Sequence, residues 1–135
     1  METRLFTQDD FHLIESWLKY WFPKGEFTKD IYPDTGIFTI DRNTKEPIYV
    51  GFVWCPKTSK MAQLGFIIRN PNYKIPKSES KQTLKTHLLN LISYAKELGY
   101  EYVMTWTASQ TLKEGFKEVG MLETSSSVSE FIVKI

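Results

Sequence analysis

Between Arg69 and Lys85 the chain carries five positive charges, Arg69, Lys74, Lys77, Lys81 and Lys85, in seventeen residues whose one acid is Glu79. From Lys74 onward the spacing is three, four and four, which aligns the lysines on one side of a helix. Pro76 argues that the helix starts after Lys74. Ammonium groups in such a row, with Gln82 among them, can grip a phosphate-bearing anion as point charges. The plain alternative is a solvated face that balances an amphipathic helix. His12 and His87 both fall on predicted helices, where a lone histidine belongs at the surface or boundary. Cys55 closes a predicted strand and reads as a small buried residue rather than a nucleophile. Two histidines and one cysteine without ligand spacing give no metal site.

The elements that would position these groups follow from periodicity. A strand at 3–6 precedes Thr7, a helix cap with Asp10 three residues on, and Phe11, Ile14, Trp17, Leu18 and Trp21 recur at helical spacing. The segment 23–36 has turn chemistry at both ends and accommodates a short helix or a loop. Strands are expected at 36–41, 48–55 and 61–68, with Leu64, Phe66 and Ile68 filling the core and Gly65 easing a bulge. A long helix over 79–98 shows one apolar face, Leu84, Leu88, Leu91, Ile92, Ala95 and Leu98, and stops at Gly99. Strand 100–107, helix 109–119 and two terminal strands near 121–124 and 130–135 complete the order.

At 135 residues the chain reads as one domain, 1–135. Its 41% hydrophobic and 15% aromatic content excludes disorder, and a net charge of +1 argues against nucleic acid as a partner. No apolar run has membrane-spanning length, and Met1-Glu2 does not open a signal sequence, so a soluble cytoplasmic protein is expected.

The order strand (61-MAQLGFII-68), basic loop, long helix (79-ESKQTLKTHLLNLISYAKELG-99), strand (100-YEYVMTWT-107), short helix resembles the core of the GNAT acetyltransferases. The opening 4-RLFTQDDFHLIESWL-18 and the segment 109-SQTLKEGFKEVGM-121 resemble that family's start and closing signature. The resemblance implies an α/β fold: a mixed, mostly antiparallel sheet flanked by helices, with 61–68 and 100–107 adjacent and parallel. It also implies acetyl-CoA as cofactor and an amine as acceptor. The thioester would lie between those two strands, beside the backbone of Phe66, Ile67 and Ile68. The phosphates would lie near Lys77, Lys81, Gln82 and Lys85, with Ser109 the nearest side-chain donor.

Three positions depart from the family pattern. The loop has no glycine between Gly65 and Gly99, Ser109 stands for a signature Asn, and Phe116 stands for a Tyr that often protonates the leaving thiolate. Asp41, Glu46 and Glu101 are the carboxylates nearest by strand position for a general base, and no catalytic residue is assigned. Two functions therefore stay open. One is an N-acetyltransferase. The other is a non-catalytic protein of the same fold that binds other proteins, such as a phage virion component. In the second case Tyr73, Ile75 or other residues of the long loop would plug the cleft, and 20–27 and 124–129 would be contact surfaces.

Overall fold

The computed structural model describes residues 1–129 and 131–135. Strand β1 (Glu2–Leu5) leads through a 3-10 turn at Gln8–Asp10 into helix α1 (Phe11–Trp21). The start of that helix is fixed by Asp10, whose carboxylate takes the Thr7 amide at 2.9 Å and both guanidinium nitrogens of Arg4 at 3.0 Å. A second 3-10 turn, Lys29–Ile31, is the only regular piece in the segment 23–35. Then come β2 (Gly36–Ile40), β3 (Pro47–Trp54), β4 (Met61–Arg69), helix α2 (Ser80–Glu97), β5 (Tyr102–Met104) and helix α3 (Gln110–Glu118). The five strands form one sheet in chain order, antiparallel from β1 to β4, with β4 and β5 parallel and joined by α2.

Strand alternation divides the core. Phe38, Val50, Phe52 and Ile68 pack with Ile14, Trp17 and Leu18 of α1. Ile37, Val53, Ala62 and Leu64 pack with Leu91 and Ala95 of α2 on the other face. Helix α3 adds Phe116 to a third cluster with Ile48, Tyr49, Leu84 and Leu88. Gly115 allows that approach, since a Cβ there would sit 3.0 Å from Leu88 Cδ1.

Leu64 and Ile68 fill the core as expected, on opposite faces of the sheet because a bulge interrupts the alternation between them, and Phe66 is half-buried on the α1 side. Other expectations need correction. The strand expected over 100–107 is only three residues long. No strand forms over 121–124 or 131–135, and Leu122, Phe131 and Ile132 are 88%, 91% and 94% exposed; residue 130 of the second expected strand lies outside the described residues. His87, expected at a boundary, is fully buried against β3, stacked on Tyr49 at 5.1 Å with Nδ1 2.8 Å from the Thr39 hydroxyl. Leu98, placed on the apolar face of α2, is 38% exposed because it caps the helix end.

Candidate active site

The β4–β5 ladder holds three pairs, Met61 with Tyr102, Ala62 with Val103 and Gln63 with Met104. One step further the Thr105 hydroxyl donates to the Leu64 carbonyl at 2.9 Å; beyond it no strand among the described residues pairs with β4 on this side, and the Arg69 carbonyl accepts the Trp21 indole N–H at 2.8 Å. The edge of β4 from Gly65 to Arg69 is therefore free of a strand partner where the sheet is otherwise continuous. On the other side, Gly65 pairs with Phe52 and Ile68 with Val50, so Phe66 and Ile67 both lie opposite Gly51. Phe66 takes a φ of 46°, a left-handed conformation that a bulky residue rarely adopts. It is the extra residue. An extra residue in one strand splays the backbone and re-aims its side chain, a device common at strand edges beside sites.

The three expected backbone positions, Phe66, Ile67 and Ile68, thus sit on the bulge and the open edge together. Their side chains diverge. Phe66 and Ile68 go to the α1 cluster, and Ile67 packs with the α2 and α3 clusters. A 3-10 turn at Lys77–Glu79 runs directly into α2, which puts Lys77, Lys81 and Lys85 on one continuous helical run and leaves Lys74 in the preceding loop. The amides of Glu79 and Ser80 already donate to the carbonyls of Pro76 and Lys77, so the foremost amides of that run belong to Lys77 and Ser78. Lys77, Lys81 and Gln82 are exposed and Lys85 is half-buried. Among the described residues none of Arg69, Lys74, Lys77, Lys81 and Lys85 forms an ion pair, whereas Arg4, Lys19, Arg42, Lys45, Lys60 and Lys117 do. Arg69 lies beside Tyr49 on the α2 face, with its Nε buried and unpartnered. Exposed Ser109 caps α3 by accepting the Leu112 amide at 3.3 Å.

The candidate bases are elsewhere. Asp41, in the β2–β3 turn, accepts the Tyr73 hydroxyl at 2.6 Å and the amides of Asn43 and Thr44, which hold its carboxyl below the ordinary value. Glu46 is exposed in the same turn. Glu101 precedes β5, pairs with Lys60 at 3.5 Å, and sits at the far end of β4 from the bulge. Tyr73 and Ile75, the expected plug, pack instead toward Ile48, where they line a concavity of about 250 Å³ with Asp41 and Thr83. Phe116 is a core residue, 7% exposed. What the sequence did not reveal is a ring cluster on the α1 side of the bulge. Around Phe66 stand Tyr32 at 4.9 Å, Trp54 at 5.7 Å and Phe27 at 6.5 Å between ring centroids. These come from three separate segments, and no single pattern joins them.

No family model and no curated protein sequence matches the chain. Solved structures do. TTHA1254 from Thermus thermophilus superposes with a TM-score of 0.67 at 13% identity, over 99% of this chain and 98% of that one. Glucosamine-6-phosphate N-acetyltransferase from Arabidopsis thaliana gives 0.63 at 15% identity, covering 98% of both chains. AAC(6')-Iy, solved with the bisubstrate analogue CoA-S-monomethyl-acetylneamine, gives 0.62 at 12% identity, again over 98% of both. The chain has the GNAT fold. The likeness extends over the whole chain rather than a part of it. Among the described residues no group of three or more His, Cys, Asp or Glu could hold a metal ion, and no helix is long and apolar enough to cross a membrane.

Proposed function

We propose that the protein is an N-acetyltransferase that moves an acetyl group from acetyl-CoA to an amine. The observation that carries this reading is the bulged edge of β4 without a strand partner, followed in the chain by a helical run whose Lys77, Lys81 and Lys85 form no ion pair among the described residues. The donor set suits the cofactor. Main-chain groups of Phe66, Ile67 and Ile68 would hold the pantetheine arm, and Lys77, Lys81, Gln82 and Lys85, with the Lys77 and Ser78 amides, the phosphates. Ser109 would be the nearest hydroxyl. Point charges take the place of glycine amides, so binding should depend steeply on salt. When bound, acetyl-CoA would supply an activated acetyl group for the amine, with CoA released as its thiolate and the amine proton passed to solvent.

Calorimetry and thermal shift with acetyl-CoA test the reading. A ligand at a hundred times its dissociation constant raises stability by about 2.7 kcal/mol. The Lys77→Glu/Lys81→Glu variant is expected to keep the wild-type melting temperature without ligand and to lose affinity about tenfold or more. No stabilisation of the wild type at millimolar acetyl-CoA would remove the reading.

A second reading is supported by exposed apolar surface: Tyr20 at 64%, Phe131 at 91% and Ile132 at 94%. On it the fold is non-catalytic and docks other proteins, as a phage virion component would. Its mark is a defined assembly with a partner in native mass spectrometry, together with indifference to acetyl-CoA.

A further inference from the structure

The α1 side of the bulge is built from rings. Phe22, Phe27, Tyr32, Phe52, Trp54 and Phe66 are linked at centroid distances between 4.9 and 6.5 Å. None of these side chains is ionised at neutral pH. Glu26 and Asp30, the acids of the covering segment, are exposed. One polar atom is enclosed: the Tyr32 hydroxyl, on a residue 7% exposed, has no hydrogen-bond partner among the described residues. Burial pushes its pKa up to about 12, so it stays a neutral donor and acceptor.

The ring over Phe66 is weakly held. Phe27 lies in the stretch 22–32, where the backbone bonds among the described residues are local, Gly25 to Phe22, Ile31 to Thr28 and Tyr32 to Lys29, and the long-range bonds of the segment come only at Asp34 and Thr35. Its ring folds back onto Gly25 and meets Phe66 edge-on, with an interplanar angle of 87°. An incoming aromatic ring offers Phe66 the same edge-to-face contact, so exchange costs little in contact energy.

We propose that Phe27 is a displaceable plug, and that the acceptor is a primary amine bearing an aryl group, whose ring takes the place of Phe27 on Phe66 and whose nitrogen meets the Tyr32 hydroxyl. This rests on the acetyltransferase reading and names its substrate class. The class also answers the absence of the expected bases from the bulge. An ammonium carried among six uncharged rings loses hydration, which lowers its pKa and releases the free amine that attack requires. Polyamines and amino sugars would find no anionic partner on this wall.

The test uses the intact protein and 2-phenylethylamine, with spermidine as the contrast, by calorimetry without cofactor. Phenylethylamine is expected to bind and spermidine to bind at least tenfold more weakly. In Phe27→Ala, phenylethylamine affinity should rise about tenfold, because an internal competitor is gone. If Phe27→Ala does not fold, Phe27→Leu serves, with a smaller rise in the same direction. Tyr32→Phe should weaken phenylethylamine several-fold and leave ethylbenzene unaffected, a contrast that a merely structural role would not produce. Equal binding of spermidine, or affinity unchanged by both Phe27 variants, overturns the proposal. Acetyl-CoA binding on the same samples separates the two failures. Cofactor binding without aryl-amine preference sinks the substrate class alone, and absent cofactor binding sinks both.

Discussion

Gly51→Ala is expected to destabilise the protein by about 1–3 kcal/mol, a large part of the margin of a domain this size. The backbone there accepts any residue; the obstacle is space. A Cβ at Gly51 would stand 2.5 Å from Leu91 Cδ1 and 3.0 Å from both Leu91 Cδ2 and His87 Nε2. Leu91 and His87 are both fully buried, and His87 is pinned between Tyr49 and Thr39, so neither has room to retreat. Shortening the obstructing side chain should relieve the clash. Urea unfolding of Gly51→Ala, Leu91→Val and the double variant is expected to show a favourable coupling of at least about 0.5 kcal/mol. Strict additivity would mean that the crowding at this crossing of α2 and β3 is absorbed elsewhere.

Acid should unfold the protein earlier than its carboxylates require. Burial drives the His87 pKa from its ordinary 6.5 down to about 3, opposed in part by the Val50 carbonyl. The folded state therefore keeps His87 neutral while the unfolded chain protonates it below 6.5. Stability from this group is complete above pH 6.5 and falls as pH drops through 6.5 toward 3. Each unit in that window removes about 1.4 kcal/mol, so the loss at pH 5 is about 2 kcal/mol. Three carboxylates held below their ordinary values lose their contribution later. Lys45 does this to Glu2, the Tyr73 hydroxyl to Asp41, and Arg4, against burial, to Asp10, from ordinary values of 4.5, 3.8 and 3.8. The interval from 6.5 to about 5 thus isolates the histidine. In His87→Leu that limb should flatten, leaving only the acid transition below it. A wild-type stability curve level from about pH 7.5 to about pH 5 would contradict the buried neutral imidazole.

The sequence exposed what repeats. Leu84, Leu88, Leu91 and Ala95 recur at helical spacing and do face the sheet, and alternation through 48–54 set β3 on its correct residues. The parallel neighbours β4 and β5 followed from the strand–helix–strand order. Interruptions of pattern were harder. Gly65 signals a bulge, but nothing in the sequence marks Phe66 as the residue to be displaced. His87 was misplaced because histidine is polar by type; only the gap left by Gly51 across the interface makes a buried ring fit there. The lysine run was visible, yet its alignment depends on the 3-10 turn at Lys77–Glu79, which extends the helix back to Lys77. The ring cluster draws on Phe27, Tyr32, Trp54 and Phe66, residues brought together by tertiary folding and invisible to any local window.

The bulge also makes the site separable from the sheet that carries it. Because Gly65 keeps Phe52 and Ile68 keeps Val50, removal of Phe66 would leave Ile67 opposite Gly51 and both ends of the ladder where they are. Strand alternation would then run unbroken from Leu64 to Arg69. A single-codon deletion would yield a regular five-stranded domain without the platform on which the rings gather. In this protein the ring wall is lost by one deletion and regained by one insertion, with both ends of the ladder kept.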